Sequence, residues 1–326
     1  MKRRLFNLTA LLSVCLATLT PVAQAADVYP SKPIKMVIAF PPGGPTDVNS
    51  RLFAQAMSIQ LGQPVIVENR PGAGGNLAST AVAGAPADGY TLLFNTTSFL
   101  LGPLTYNSAR HDPFKDFVPV VRTTGVPMVL TVNPSVQARS VKELVALAKK
   151  EPTKINYASS GAGTLDHLGT AFIATLLDIK LEHVPYKGTA PALTDLVGGS
   201  TQMMVTTLNT VLPFIRDRRL VPLAILSRER SPLLPNLPTF SEATGIPNVE
   251  VIAWNGIMAP AGTPASVVAR LNAVVNQVTG QESFQEKMRN AGNELYGGSS
   301  AEYGAYLASE NKRFSELLQR SGVEKQ

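Results

Sequence analysis

The chain has 326 residues, 29 Lys and Arg against 23 Asp and Glu, a formal net charge of +6 and only 16% charged residues. That length suits two domains of ordinary size, and a mild basic excess without a Lys/Arg run argues against nucleic acid as a partner. One cysteine rules out an internal disulfide, and three scattered histidines (His111, His167, His183) offer no metal-binding pattern.

Residues 1–25 read as a secretory signal peptide. "MKRR" supplies the positive start, "LFNLTALLSVCLATLTPVA" the apolar stretch, and Ala23-Gln24-Ala25 the small residues of a cleavage site. A membrane anchor fits less well, because Asn7, the threonines and Pro21 interrupt the run. Val14 before Cys15 argues against lipidation. Cleavage would leave 301 residues without cysteine and lower the charge to +3, since Lys2, Arg3 and Arg4 depart. The expected location is the periplasm.

Strand and helix patterns then alternate. "IKMVIAF" precedes the helix "TDVNSRLFAQAMSIQL", "QPVIVEN" precedes "NLASTAVAGA", and "YTLLFNT" is a third strand. A second series starts at "VPMVLTVN", followed by the helix "VKELVALAKK" opened by a Ser140–Glu143 capping box. It continues through the strand "KINYASS", the helix "LDHLGTAFIATLL", the strand "LEHVPYK", the helix "APALTDLVGG" and the strand "TQMMVTT". Such alternation implies parallel sheets with helices on both faces. The stretch 227–248 is a Pro-rich connection, two helices close the chain (one at Thr263-Pro264, one at Ser299), and the tail 320–326 is expected to fray.

Two junctions carry the functional signal. In "FPPGGPTD" a strand enters a Pro/Gly turn and a helix, with Gly44 as N-cap and Pro45 as the first helical residue. Free amides and the positive end of the helix dipole then face the turn, and Gly43 and Gly44 let a ligand approach the backbone, so the junction favours an anion. "NYASSGAGTLDHLG" repeats the arrangement with Ser159, Ser160, Gly163 and Thr164. Two such turns could hold a small anion between them. Asp47 either complements its helix dipole or touches the ligand. Lys187 is either a cation for a distal carboxylate or a solvated lysine, and the hydroxyls and amides of the strand ends Asn95–Phe99 and Thr206–Asn209, Thr97, Ser98 and Thr207 among them, suit polar selectivity, with Phe99 read as core.

"NRPGAGGNLA" lacks the third glycine of a dinucleotide fingerprint and no P-loop occurs, so nucleotide binding is disfavoured and no cofactor is expected. Arg70 in that turn is either a partner for a carboxylate or, the favoured reading, one half of a surface or structural ion pair. A hydrolase using Ser159 or Ser160 with His167 is a weaker alternative, since G-x-S-x-G is absent.

The stretches "YPSKPIKMVIAFPPGGPTD", "VIVENRPGAGGNLA", "YASSGAGTLDHL", "HVPYKGTAPALTDLVGG", "LPTFSEATG" and "WNGIMAPAGTP" resemble the extracytoplasmic solute receptors of tripartite tricarboxylate transporters, also called Bug proteins. The resemblance implies a type II periplasmic binding protein: two α/β lobes joined by crossing strands, with a ligand cleft between them. Domain I would comprise 26–124 and 226–326, and domain II the inserted 125–225. It further implies a non-enzymatic protein that captures a small organic acid (di- or tricarboxylate, acidic amino acid or aromatic acid) for integral-membrane permease subunits. In such proteins the loops matching Phe40 to Asp47 and Ser159 to Thr164 grip one carboxylate. A monomer is expected, and a ligand-presenting sensor is the alternative role. Two stretches depart from the family pattern, 206–220 and "NTTSFLLGPLTY", and both flank the distal end of the cleft.

Overall fold

The computed structural model describes residues 29–151, 154–321 and 325. The expected signal peptide, with Cys15, and most of the expected frayed tail lie outside them. The first sheet region begins with β1 (Ile34–Ile38), whose apolar run is buried except at Lys35. Near-continuous burial is the mark of a parallel strand covered on both faces. Helix α1 (Pro45–Leu61) buries Phe53, Ala54, Met57 and Leu61 on one stripe and stops at Gly62, whose left-handed backbone (φ 67°) returns its amide to Ser58. β2 (Val65–Asn69), α2 (Asn76–Ala83), β3 (Thr91–Thr96) and α3 (Ser98–Thr105) follow. β1 pairs in parallel with β2 and β3.

The next strand, β4 (Phe117–Val132), runs for 16 residues and belongs to both sheet regions. From Phe117 to Pro127 it pairs antiparallel with β9 (Ile252–Pro260). From Met128 to Val132 it pairs with β7 (Met203–Thr207), and its far end also pairs with β8 (Val221–Ile225). The second region adds α4 (Val141–Lys150), β5 (Asn156–Ser159), α5 (Leu165–Leu176), β6 (Glu182–Pro185), α6 (Thr189–Gly198) and α7 (Leu208–Arg216). There β5 pairs in parallel with β6 and β7. The strand order is β2-β1-β3-β9-β4-β7-β5-β6, with β8 and β10 (Glu294–Leu295) attached to β4.

The chain ends with α9 (Ala265–Thr279), α10 (Glu282–Asn290) and α11 (Ser300–Ser321), preceded by the short α8 (Phe240–Thr244). The sequence reading expected two closing helices, and the polar α10 was the one it passed over. Within 227–248 it saw only a connection, whereas Thr239 and Glu242 form a reciprocal capping box for α8. At α9 the expected start moves by one residue: Pro264 is the N-cap, and the Thr263 hydroxyl donates to Pro260 O at 2.7 Å. At α4 the Ser140 hydroxyl caps Glu143 N, but the Glu143 carboxylate reaches the Arg139 amide, not that of Ser140. Ser299 and Glu302 exchange both bonds of a capping box at the head of α11.

Trp254, Tyr303, Phe53, Phe94, Phe240 and Phe314 are the largest fully buried side chains. Helix α11 lies against β4 and α5, so it touches both sheet regions. Its Glu310, nearly buried, accepts from Trp254 Nε1 at 3.0 Å and is gripped by Arg313 at 2.7 and 2.6 Å.

Candidate functional site

Five helices begin at one cavity of about 320 Å³. They are α1, α3, α5, α6 and α7, and each follows the carboxyl end of a strand, where open α/β sheets bind ligands. Their N-cap positions are Gly44, Thr97, Thr164, Gly188 and Thr207, and none makes a side-chain cap bond. By contrast, α4, α8 and α11 start away from the cavity and are closed by Ser140, Thr239 and Ser299. Helices α2, α9 and α10 lack such caps too, so convergence is the distinguishing feature. First-turn amides and the positive ends of five dipoles make the cavity complementary to an anion.

Of the residues singled out from sequence, Phe40, Gly44 and Thr46 line the cavity from α1's turn, and Thr97 and Ser98 from α3's. Ser160, Thr164, Lys187 and Thr207 line it from the second sheet region. Gly43, Asp47, Ser159 and Gly163 do not, because their polar groups are consumed inside the turns. Gly43 N donates to Asp47 Oδ2 at 3.1 Å, while Asp47 Oδ1 accepts from Arg51 Nε and Asn69 Nδ2, both at 3.0 Å. Burial pushes the Asp47 carboxyl up, but these three donors outweigh it and hold it below the usual range. Gly163 N donates to His167 Nδ1 at 3.0 Å. Arg70 pairs with Glu68, as the ion-pair reading expected.

Ser159 meets a histidine, though not the one expected. Its fully buried hydroxyl lies 2.7 Å from His183 Nε2 and donates to Gly161 O at 3.1 Å. His183 stacks on His167 with centroids 3.9 Å apart and rings 6° from parallel. Burial lowers both imidazoles to about 4, with mutual repulsion adding at His183. A serine sealed behind the cavity wall cannot attack a substrate within it. The Ser–His pair braces the turn that carries Ser160 and Thr164.

Asn209, within the strand end expected to give polar selectivity, lines the cavity too; sequence reasoning missed Asn49, Asp166, Trp254 and Asn255, which also line it. Asp166 stood inside a quoted motif at the helix start, which was the available signal. Burial raises its carboxyl to about 6, against the lowering effect of the Ser160 hydroxyl and amide. The asparagines form a chain across the cavity floor. Asn255 Oδ1 accepts from Thr124 Oγ1 at 2.9 Å and Asn49 Nδ2 at 3.4 Å, and Asn293 Oδ1 accepts from Asn49 at 2.9 Å and Asn209 at 3.2 Å. The chain ties α1 to β9 through Asn255 and to α7 through Asn293.

The cavity's two rims touch. Tyr106 donates its hydroxyl to Ala162 O at 2.6 Å, and a Cβ at Gly163 (φ 72°) would stand 2.6 Å from Thr105 Oγ1. Among the described residues no helix is long and apolar enough to cross a membrane, and no group of three or more His, Cys, Asp or Glu could hold a metal ion.

Residues 49–323 match the family model described as the tripartite tricarboxylate transporter family receptor. Protein BugT of Bordetella pertussis is 34% identical over 320 residues, covering 97% of this chain and 98% of that one. Among solved structures, R. palustris Rpa4515 with adipate superposes with a TM-score of 0.88 at 34% identity, covering 91% of this chain and 99% of that one. The periplasmic binding protein BugD gives 0.86 at 35%, covering 91% and 100%. MatC from Rhodopseudomonas palustris with bound malate gives 0.84 at 31%, covering 89% and 100%. These neighbours share the two-lobed periplasmic binding fold, and the family consists of solute-binding receptors, not enzymes. The chain therefore belongs to the tripartite tricarboxylate transporter receptor family, as a periplasmic solute-binding receptor of the TctC/Bug type.

Proposed function

We propose that this receptor captures a small organic carboxylate in the cavity and delivers it to integral-membrane permease subunits. One observation carries the reading: five uncapped helix N-termini converge on a cavity whose wall also bears Lys187. Such a wall offers donors at several points and leaves an anion's oxygens as their natural complement. The relatives bound to adipate and malate support the same ligand class.

The lobes are assigned as 26–124 with 226–326, and 125–225, in keeping with the strand pairing on either side of β4. The ligand-gripping set is Phe40, Gly44, Thr46, Thr97, Ser98, Ser160, Thr164, Lys187 and Thr207, with Gly43, Asp47, Ser159 and Gly163 shaping the turns from behind. Ligand contacts from both lobes favour the closed form, because only that form satisfies the anion from two sides. A leader at 1–25 places the protein in the periplasm.

Thermal-shift and calorimetric titration of the leader-free protein with mono-, di- and tricarboxylates tests this. At least one acid is expected to stabilise it in a concentration-dependent manner, by about 2.7 kcal/mol at 100 times its Kd, while its amide and alcohol counterparts do not. Binding of the neutral counterparts with equal affinity would refute the reading.

A further inference from the structure

We propose that Asp166 reads a hydrogen-bond donor on the ligand, so that the cavity prefers a carboxylate bearing a hydroxyl or ammonium group to the same acid without one. The inference rests on the carboxylate-receptor reading and specifies its ligand.

Two acids occupy the first turns of two cavity-facing helices, Asp47 in α1 and Asp166 in α5. Both would be explained by the helix dipole alone if their surroundings matched. They do not. Asp47 is held by Arg51, Asn69 and the Gly43 amide, and it does not line the cavity. Asp166 lines it while only 7% exposed, and no cation bears on its carboxyl. Its partner from elsewhere in the chain is Ser160, a neutral residue that reaches the carboxylate through its hydroxyl and through its amide, 3.3 Å from Oδ2. Asp47 is therefore neutralised within the protein by Arg51, whereas Asp166 has only the neutral Ser160 and keeps acceptor capacity for a ligand donor.

The surrounding wall sharpens the point. Thr46, Ser98, Lys187 and the uncapped helix ends all supply donors, whereas an ionised Asp166 only accepts. A plain diacid lodged there sets a carboxylate against a carboxylate in a partly desolvated site, where like charges are costly. A ligand with a donor beside its carboxylate meets both polarities: amides take the anion and Asp166 takes the donor. Lys187, exposed and with no carboxylate within 4.0 Å among the described residues, remains available for a distal acid group.

Isothermal titration calorimetry with two matched series decides the matter: succinate, malate and aspartate, and adipate, 2-hydroxyadipate and 2-aminoadipate. The intact leader-free receptor, stripped of co-purified ligand, is expected to bind a donor-bearing member about tenfold or more tighter than its unsubstituted partner, a difference of about 1.4 kcal/mol. In Asp166→Ala that ratio collapses toward one, through weaker binding of the donor-bearing acid. Asp166→Asn, neutral but still an acceptor, retains a hydroxyl preference and loses an ammonium preference, which tells the two donors apart. Equal or tighter binding of the unsubstituted acids by the unaltered receptor would overturn the inference and leave the receptor reading intact, with no variant needed. An unchanged ratio in a folded Asp166→Ala would overturn it equally. Failure of every acid to bind would overturn both.

Discussion

Lys187 stands on the cavity wall without a carboxylate partner among the described residues, while nearly every other cation near the turns is paired. Lys187→Met is expected to weaken a dicarboxylate by about tenfold, as a charge-assisted bond of roughly 1.5 kcal/mol is lost. Stability should stay within about 0.5 kcal/mol, because the side chain is exposed. Calorimetry together with a melting curve reads both. Asp47→Ala should do the reverse, removing the acceptor of three donors and costing about 1–2 kcal/mol of stability. The Asp47 carboxyl is depressed in the fold, so its contribution is present above the unfolded value of 3.8 and is lost as pH falls through the lower folded value. Melting temperatures of the two proteins should converge on acidification below that value. The sequence identified both turns but not which side of each turn its groups would face. That depends on backbone torsions such as φ 88° at Gly43 and φ 145° at Gly161, which residue spacing does not encode. Asn49 was invisible for another reason: an asparagine one turn into a helix becomes a cavity residue only through the packing of distant elements.

The turn between β5 and α5 is a backed structure, with Ser159 and Gly163 held from behind by His183 and His167. Both imidazoles lie near 4 in the fold and near 6.5 when unfolded, so the unfolded chain binds more protons between those values. Stability from this pair is complete above about 6.5 and declines as pH falls to about 4. Asp166 runs the other way: raised from 3.8 to about 6, it adds stability as pH falls through that window. Two histidines against one acid give a net loss. The melting temperature is expected to drop by on the order of 5 °C from pH 7 to pH 4. His183→Gln should flatten that slope, and an unaltered slope would contradict the bracing role. Element legibility follows the regularity of the pattern. Helix α1 and strands β1 to β3 were readable from clean periodicity. β4 was read only from Val126, because Pro119 and Gly125 interrupt the apolar run and the register slips near 119–121 and 122–124. β9 went unread as a strand because its core, "AWNGIMAP", carries polar and glycine positions that belong to the cavity floor and the crossing.

At the scale of the whole molecule, the asparagine chain and the rim contacts join parts of the fold that the strand pairing separates. Asn293 Oδ1 receives donors from α1 and α7 together, so it links both sides of the crossing strands. Asn293→Ala removes the shared acceptor of the buried Asn49 amide, which keeps only its longer bond to Asn255, and of the half-buried Asn209 amide, and should cost about 1–2 kcal/mol, with a melting decrease of a few degrees. Because Asn49 and Asn209 would be freed to shift, carboxylate affinity should fall as well. The two-lobed class followed from the family resemblance, whereas the closed contact between Tyr106 and Ala162 is a three-dimensional meeting that no local pattern announces.

The measurement bearing most directly on the account is a crystal structure of the receptor with a bound acid. It should show carboxylate oxygens within about 3 Å of first-turn amides or hydroxyls from at least one helix of each sheet region, such as Thr46 or Ser98 on one side and Ser160 or Thr164 on the other. A carboxylate held elsewhere, or turned toward solvent and away from those groups, would contradict it.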